Sequence, residues 1–471
     1  MPVIALGGSG GGYRAMVSSL GYFDACRDSG LLDCATYMAG VSGTCWALTQ
    51  YYMVAECSMD ALRQHLTDQI TVSLTSLSAL ADVLTSPVAA SVFSGLVRKF
   101  DSGTPLSLVD LYGTLLMSRL LTRTLDTNQP AITLSMSSQA QWIQDGNHPM
   151  PIYTAVRHEV LRQTGSTTTA TDPEPESQQA TAGGPAWSDR LKSWSNLLPA
   201  TGGTKVDNDE SPPALAASST SAQGPSSDLS VIDPEDSDCD QASVHSVDTL
   251  QSDQTIEFLS AIGLSKTHKY QWFEFTPFEI GTAEEGVWIP AWAFGRRFAH
   301  GHSQERLPEP SVGLYLGMFG SAFCATVGHM IDEVKGILAT PVYQYLEGLV
   351  RDYRQAVTTT HPIAPSCFHN PFYRLDDVPD PPQPVPDAPP NAAANEIKGQ
   401  SQYDSQVTSL YNSEQLCLMD AGMNNNLPFY PLLRPERGVD VILLFDASSD
   451  IDQTPWFTRA EEFAKQQGIR R

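Results

Sequence analysis

Residues 2–16 read PVIALGGSGGGYRAM, and they set five glycines into the six positions from Gly7 to Gly12, directly before Tyr13 and Arg14. The apolar, partly β-branched run ahead of the glycines predicts a short strand. The apolar residues of YRAMVSSLGYFDACRDSG then recur at helical spacing up to a closing glycine. The next stretch repeats the pattern, with LLDCATYMAG as a strand, VSGT as a turn and CWALTQYYMV as a helix. Two strand–turn–helix units within about 55 residues predict an α/β fold.

Beyond residue 60 the pattern is mostly helical to about 125, and PIYTAVRHEV then reads as a strand. From residue 165 to 253 the composition turns to Ser, Thr, Pro, Asp, Glu and Gln, with too little apolar surface to offset the entropy of ordering, so a disordered insertion is expected there. Within it Trp187, Leu191, Trp194 and Leu198 form an amphipathic stripe that reads either as a short docking helix or as a lipid contact. Order is expected again over 254–375, with a helix around 330–356. A Pro-rich linker follows at 376–410, and 411–471 closes the chain with LCLMDAG and GVDVILLFDAS, whose apolar runs read as buried strands. Residues 1–164, 254–375 and 411–471 are thus three pieces of one α/β domain, with a central mixed sheet flanked by helices.

The formal net charge of -25 makes nucleic acid an unlikely partner. Residues 165–255 alone hold about fifteen acidic residues against three basic ones, so that stretch supplies roughly half of the charge. The eight cysteines fall into no CxxC pair and no His/Cys metal spacing. The N-terminus has no basic, apolar leader, and reduced thiols in the cytosol are expected.

Three chemistries compete for the opening glycines. A Walker loop has the spacing at Gly7 and Gly12 but meets Tyr13 and Arg14 where Lys and Ser/Thr are needed. A dinucleotide fingerprint fits Gly10, Gly12 and Ala15, with Asp33 about twenty residues on. An oxyanion hole uses consecutive glycine N–H groups that approach a tetrahedral intermediate closely, and it requires a nucleophile nearby. AGVSGTCW, residues 39–46, offers Ser42 between Gly40 and Gly43 at a strand-to-helix turn, although Thr44 replaces the last glycine of G-x-S-x-G. The plainer reading makes Ser42 a helix cap. A histidine base for a triad would come from His329 or His361.

Five blocks, in chain order, resemble the catalytic domain of the group IV cytosolic phospholipases A2, with the phospholipase B lysophospholipases and the patatin-like Ser/Asp hydrolases as relatives. They are GSGGGYRAM, LLDCATYMAGVSGT, FTPFEIG, GMFGSAF and MDAG…NLP…RPERGVDVILLFD. The resemblance implies a serine hydrolase that cleaves fatty-acyl esters of glycerophospholipids or lysophospholipids. It implies that Ser42 attacks, that Asp420 of MDAG is the general base, that Gly11 and Gly12 hold the oxyanion, and that Arg14 faces the substrate phosphate. It implies no metal or other cofactor for the chemistry, a lipid substrate at a membrane or micelle surface, and a cytoplasmic protein bound peripherally to membranes. FTPFEIG and GMFGSAF resemble segments flanking the lipid cleft and its lid; Phe275, Phe278, Phe319, Phe323, Trp288 and Trp292 read chiefly as packing, with lining of a substrate tunnel as the alternative. Arg434 and Arg437 read as partners of carboxylates near the dyad or as solvated charges. The chain opens at the glycine strand and stops after EEFAKQQGIRR, so no calcium-dependent targeting domain and a shortened catalytic domain are expected. A catalytically impaired lipid-binding protein of the same fold is the alternative.

Overall fold

The computed structural model describes residues 2–70, 89–121, 135–162, 266–324, 340–359, 363–375, 410–448 and 456–466. The insertion at 165–253 with its Trp187–Trp194 stripe, nearly all of the Pro-rich linker, and both His329 and His361 lie outside the described residues.

Strand β1 (Ile4–Gly8) ends in the glycines, and helix α1 (Gly12–Asp28) leaves them. Strand β2 (Ala35–Gly40) leads through Ser42 into α2 (Gly43–Met53), followed by α3 (Met59–Gln69), α4 (Ala89–Asp101) and α5 (Leu108–Leu120). The long strand β3 (Met150–Arg162) precedes β4 (Lys266–Phe275), β5 (Glu279–Thr282) and β6 (Val287–Pro290). A small hairpin of β7 (Phe298–Ala299) and β8 (His302–Ser303) leads to α6 (Val312–Phe319) and α7 (Thr340–Thr359). Last come β9 (Ser366–His369), β10 (Gln415–Asp420), the single turn α8 (Phe429–Leu432), β11 (Val441–Phe445) and α9 (Trp456–Gln466).

Nine of these strands form one mixed sheet in the order β11-β1-β2-β3-β4-β5-β6, with β10 beside β3 and β9 beside β10. β11, β1, β2 and β3 run parallel, and β4 turns the sheet antiparallel. Side chains alternate across it as a pleated strand requires. Leu6, Met38 and Tyr153 join the large core with Trp46, Tyr51 and Tyr52 of α2, while Ala5, Ala39 and Ile152 face Leu432 of α8.

One pairing arrangement creates the site. β4 occupies one edge of β3 from Tyr153 to Arg162. The remaining edge is shared: β2 runs up it parallel as far as Gly40 opposite Tyr153, and β10 comes down it antiparallel to Asp420 opposite Ala155. The carboxyl ends of β2 and β10 therefore face each other across two rungs of the same strand.

Two expectations need correction. The VILLF run of β11 is not buried: Val441 is 41% and Leu443 37% exposed, because β11 pairs only with β1 and forms an edge of the sheet among the described strands. The thiols are not all reduced either. Cys367 and Cys417 stand opposite each other on β9 and β10 and are joined by a disulfide, while Cys26, Cys34, Cys45, Cys57 and Cys324 are free.

Candidate active site

Ser42 sits at φ 49° and ψ -114°, a conformation that only glycine adopts without strain. The strain is the mark of a sharp strand-to-helix turn that pushes a side chain out over the sheet end. Ser42 stands at the N-cap of α2 but makes no capping bond, so the plainer reading fails. Its hydroxyl instead donates to Asp420 Oδ2 at 2.8 Å, and both residues are at most 2% exposed. The other carboxylate oxygen, Oδ1, accepts the N–H of Gly422 at 3.0 Å, which fixes the plane of the carboxylate. The main-chain N–H of Asp420 donates to the Ser321 hydroxyl. One oxygen anchored and one facing a serine hydroxyl is the geometry a proton acceptor needs.

The glycine loop lies against this pair. Gly11 has φ 135° and Gly12 φ 56°, both in the region that favours glycine, and Gly12 N–H belongs to the unpaired first turn of α1. Gly43 must also be bare, since a Cβ there would stand 2.0 Å from the Gly12 carbonyl oxygen. The start of α2 and the start of α1 are thereby in backbone contact. Thr44, the departure from G-x-S-x-G, has a use: its hydroxyl donates to the Ser9 carbonyl at 2.7 Å and holds the loop from beneath. Phe323 of GMFGSAF packs 3.1 Å from where a Gly12 Cβ would be and stands edge-on to Trp46. Thr154 of β3 ties the elbow to the sheet by donating to the Gly40 carbonyl at 2.8 Å.

Arg14 is exposed on the first turn of α1. Its Nε donates to the Ala447 carbonyl at 2.8 Å, and Nη2 lies 3.2 Å from the position of a Gly11 Cβ. A cation is thus pinned beside the glycine loop. Ser42, Asp420, Gly11, Gly12 and Arg14 all converge on one place.

The dinucleotide reading does not assemble, and the two candidate triad histidines, His329 and His361, lie outside the described residues. Asp33 is exposed and precedes β2, so it lies at the opposite end of the parallel strands from the glycine loop, where no ribose held by that loop could reach it. The neighbouring Cys45 is fully buried, burial pushes its thiol pKa well up, and its Sγ donates to the Gly40 carbonyl, so it is no competing nucleophile. His65 Nε2 is hydrogen-bonded to the Leu120 carbonyl and His369 Nε2 to that of Ser102.

Arg437 pairs with Glu274 and stacks over Tyr37, and Arg434 stacks 4.2 Å over Trp288. Glu274 stands on β4 opposite Thr154, one rung from the Asp420 position, so the pairing reading holds. The packing reading holds for Phe275 but not for Trp292, which is 55% exposed beside Arg296, or for Phe278. Sequence reasoning missed Ser321 and Asn426; of these only Asn426 carried a signal, as the last of three asparagines in a row.

Comparison with known proteins bears on this geometry. The chain matches the lysophospholipase catalytic domain over residues 4–174 and 264–464. It is 24% identical over 478 residues to human cytosolic phospholipase A2 zeta and 22% identical over 491 residues to the mouse protein. Each alignment covers 95% of this chain but only 42% of the relative, so the chain spans less than half the length of these curated proteins. The solved structure of human GIVD cytosolic phospholipase A2 superposes with a TM-score of 0.54 at 20% identity, over 99% of this chain and 46% of the other.

Proposed function

Because this chain belongs to the family of lysophospholipase catalytic domains, we propose that it hydrolyses fatty-acyl esters of glycerophospholipids or lysophospholipids through an acyl enzyme on Ser42. The observation that carries the reading is the buried 2.8 Å hydrogen bond from the strained Ser42 to Asp420. Asp420 Oδ2 takes the serine proton as Oγ attacks the ester carbonyl. The N–H groups of Gly11 and Gly12 then hold the oxyanion of the tetrahedral intermediate, a contribution worth about 10²–10³-fold per donor. Collapse of the intermediate expels the alcohol, which leaves with the proton from Asp420. Water resolves the acyl-serine by the same steps in reverse order of partners. Arg14 meets the substrate phosphate, and the Phe323 ring packs against Gly12.

The substrate is presented at a membrane or micelle surface, and the protein acts in the cytoplasm as a peripheral membrane enzyme. No helix among the described residues is long and apolar enough to cross a membrane, and the relatives are named as cytosolic. The test is labelling with a long-chain fluorophosphonate, which reacts only with an activated serine. Labelling of the wild-type chain and none of Ser42→Ala is expected; an unlabelled, folded wild-type chain overturns the reading.

A further inference from the structure

Gly10, the residue immediately before the two oxyanion glycines, has both of its polar main-chain groups taken by one residue 416 positions away. Its N–H donates to the Asn426 carbonyl at 3.1 Å, and its own carbonyl accepts from Asn426 Nδ2 at 3.3 Å. The same Nδ2 donates to the Ser448 hydroxyl. The approach demands a bare α-carbon, since a Cβ on Gly10 would stand 2.2 Å from Asn426 Oδ1 and 3.0 Å from the Ser42 Cβ.

Asn426 is itself held rigidly with respect to Asp420. The N–H groups of Asn424 and Asn425 both donate to the Ala421 carbonyl, and the Asn425 side chain accepts from Leu427 N–H. Gly422 lies between the two functional side chains, its Cβ position 3.0 Å from Asn426 Oδ1 and 3.2 Å from Asp420 Oδ1. A seven-residue loop, 420–426, thus carries the base at one end and a grip on the oxyanion loop at the other. The exit of β11 closes the triangle: Ala447 N–H donates to the Ser9 hydroxyl, its carbonyl accepts from Arg14, and Ser448 accepts from Asn426.

We propose that Asn426 is a positioning residue: it clamps Gly10 and thereby keeps the N–H groups of Gly11 and Gly12 in register with the Ser42–Asp420 pair. The catalytic part of this rests on the hydrolase reading above. Oxyanion donors stabilise charge only when held at the place where it develops, and a displacement of about 1 Å costs on the order of 10²-fold in rate. The glycines that make the loop able to reach an oxyanion also make it floppy, so its order must come from outside. No other residue in the described structure engages both main-chain groups of Gly10.

The experiment uses the full chain with Asn426→Ala and Asn426→Asp. Hydrogen exchange of the peptide spanning residues 5–16 reads the clamp directly. Turnover of p-nitrophenyl butyrate and fluorophosphonate labelling read its catalytic effect. Asn426→Ala is expected to exchange about tenfold faster at the glycine loop and to lose about 10²-fold in kcat with little change in KM. Asn426→Asp keeps the shape but presents a carboxylate to the Gly10 carbonyl. Its deficit relative to wild type should shrink as pH falls and the new carboxyl gains a proton it can donate, whereas the deficit of Asn426→Ala stays flat. Wild-type exchange at residues 5–16 in both folded variants overturns the proposal, as does a kcat deficit in Asn426→Asp that does not vary with pH. An unlabelled wild-type chain beside faster loop exchange in Asn426→Ala leaves the clamp standing and removes the hydrolase reading instead.

Discussion

Gly40 and Asp420 lie on the same edge of β3, opposite Tyr153 and Ala155, on strands that run toward each other. Ser42 follows Gly40 by two residues, and Asp420 is the last residue of its strand. Serine and carboxylate therefore meet because β3 is longer than either neighbour and its other edge is filled by β4.

Replacing Asp420 by Asn should cost about 10³-fold or more in kcat, since the amide cannot accept the serine proton. The amide oxygen can still accept from Gly422 N–H, so the thermal midpoint should stay within a few degrees. Single changes of His329 or His361 should cost less than about tenfold. A dead histidine variant beside an active Asp420→Asn protein would exchange the dyad for a triad.

The strain at Ser42 yields a stability prediction independent of activity. Ser42→Ala and Ser42→Gly should both be inactive, but glycine relaxes at φ 49° where alanine does not. Ser42→Gly should be the more stable of the two by about 1 kcal/mol, read from denaturant midpoints. Equal midpoints would show that the turn is not strained in solution.

Arg14→Ala should reduce hydrolysis of phospholipid esters far more than that of p-nitrophenyl butyrate, because only the former bring a phosphate to the guanidinium. The ratio of the two activities is the measurement. A uniform loss on both would make Arg14 a support for the Ala447 loop rather than a phosphate contact.

Away from the site, Lys99 is buried with Asp110 at 2.7 Å and with the Ser366 hydroxyl at 3.0 Å. Lys99→Met leaves Asp110 without its cation and should cost about 3–5 kcal/mol. Burial lowers the Lys99 pKa, against the pull of Asp110. Between that lowered value and the ordinary 10.5, the unfolded chain binds the proton more strongly than the folded one. Stability of the wild type should therefore rise with pH through that window relative to Lys99→Met. The two denaturation profiles across pH decide it.

The disulfide closes a loop across 50 residues of separation and should contribute about 2–4 kcal/mol where it is oxidised. Cys417→Ser should lower the thermal midpoint without reductant and match the wild type in dithiothreitol. Identical midpoints in the absence of reductant would show that the bond does not form in the purified protein.

Part of the site was legible because it is built from residues whose chemistry is local. Asp420, Arg14 and the choice of Gly11 and Gly12 were reached through the family resemblance, whereas the glycine run and the serine between Gly40 and Gly43 announce themselves within a few positions. The parallel start of the sheet was legible for the same reason, from two strand–turn–helix units. What the sequence hid depends on pairing at long range. Nothing in VILLF tells an edge strand from a central one, since both are apolar and the difference lies in whether another strand arrives. The Cys367–Cys417 bond follows from register across β9 and β10, which spacing does not encode. Asn426 was singled out by no reading of the sequence, since its hold on Gly10 spans 416 positions and forms only when the segment around residue 426 reaches the glycine loop.

The shared edge of β3 also sets an order in time. A chain synthesised as far as residue 419 already holds Ser42, the glycine loop and Arg14, yet lacks the carboxylate that accepts from the Ser42 hydroxyl and the side chain that joins Ser9 in hydrogen-bonding the Gly10 carbonyl. On the hydrolase reading proposed above, a chain that has not yet reached residue 420 cannot arm Ser42. On that reading, the docking of β10 beside β3, rather than the making of the serine turn, is the step that completes the pair.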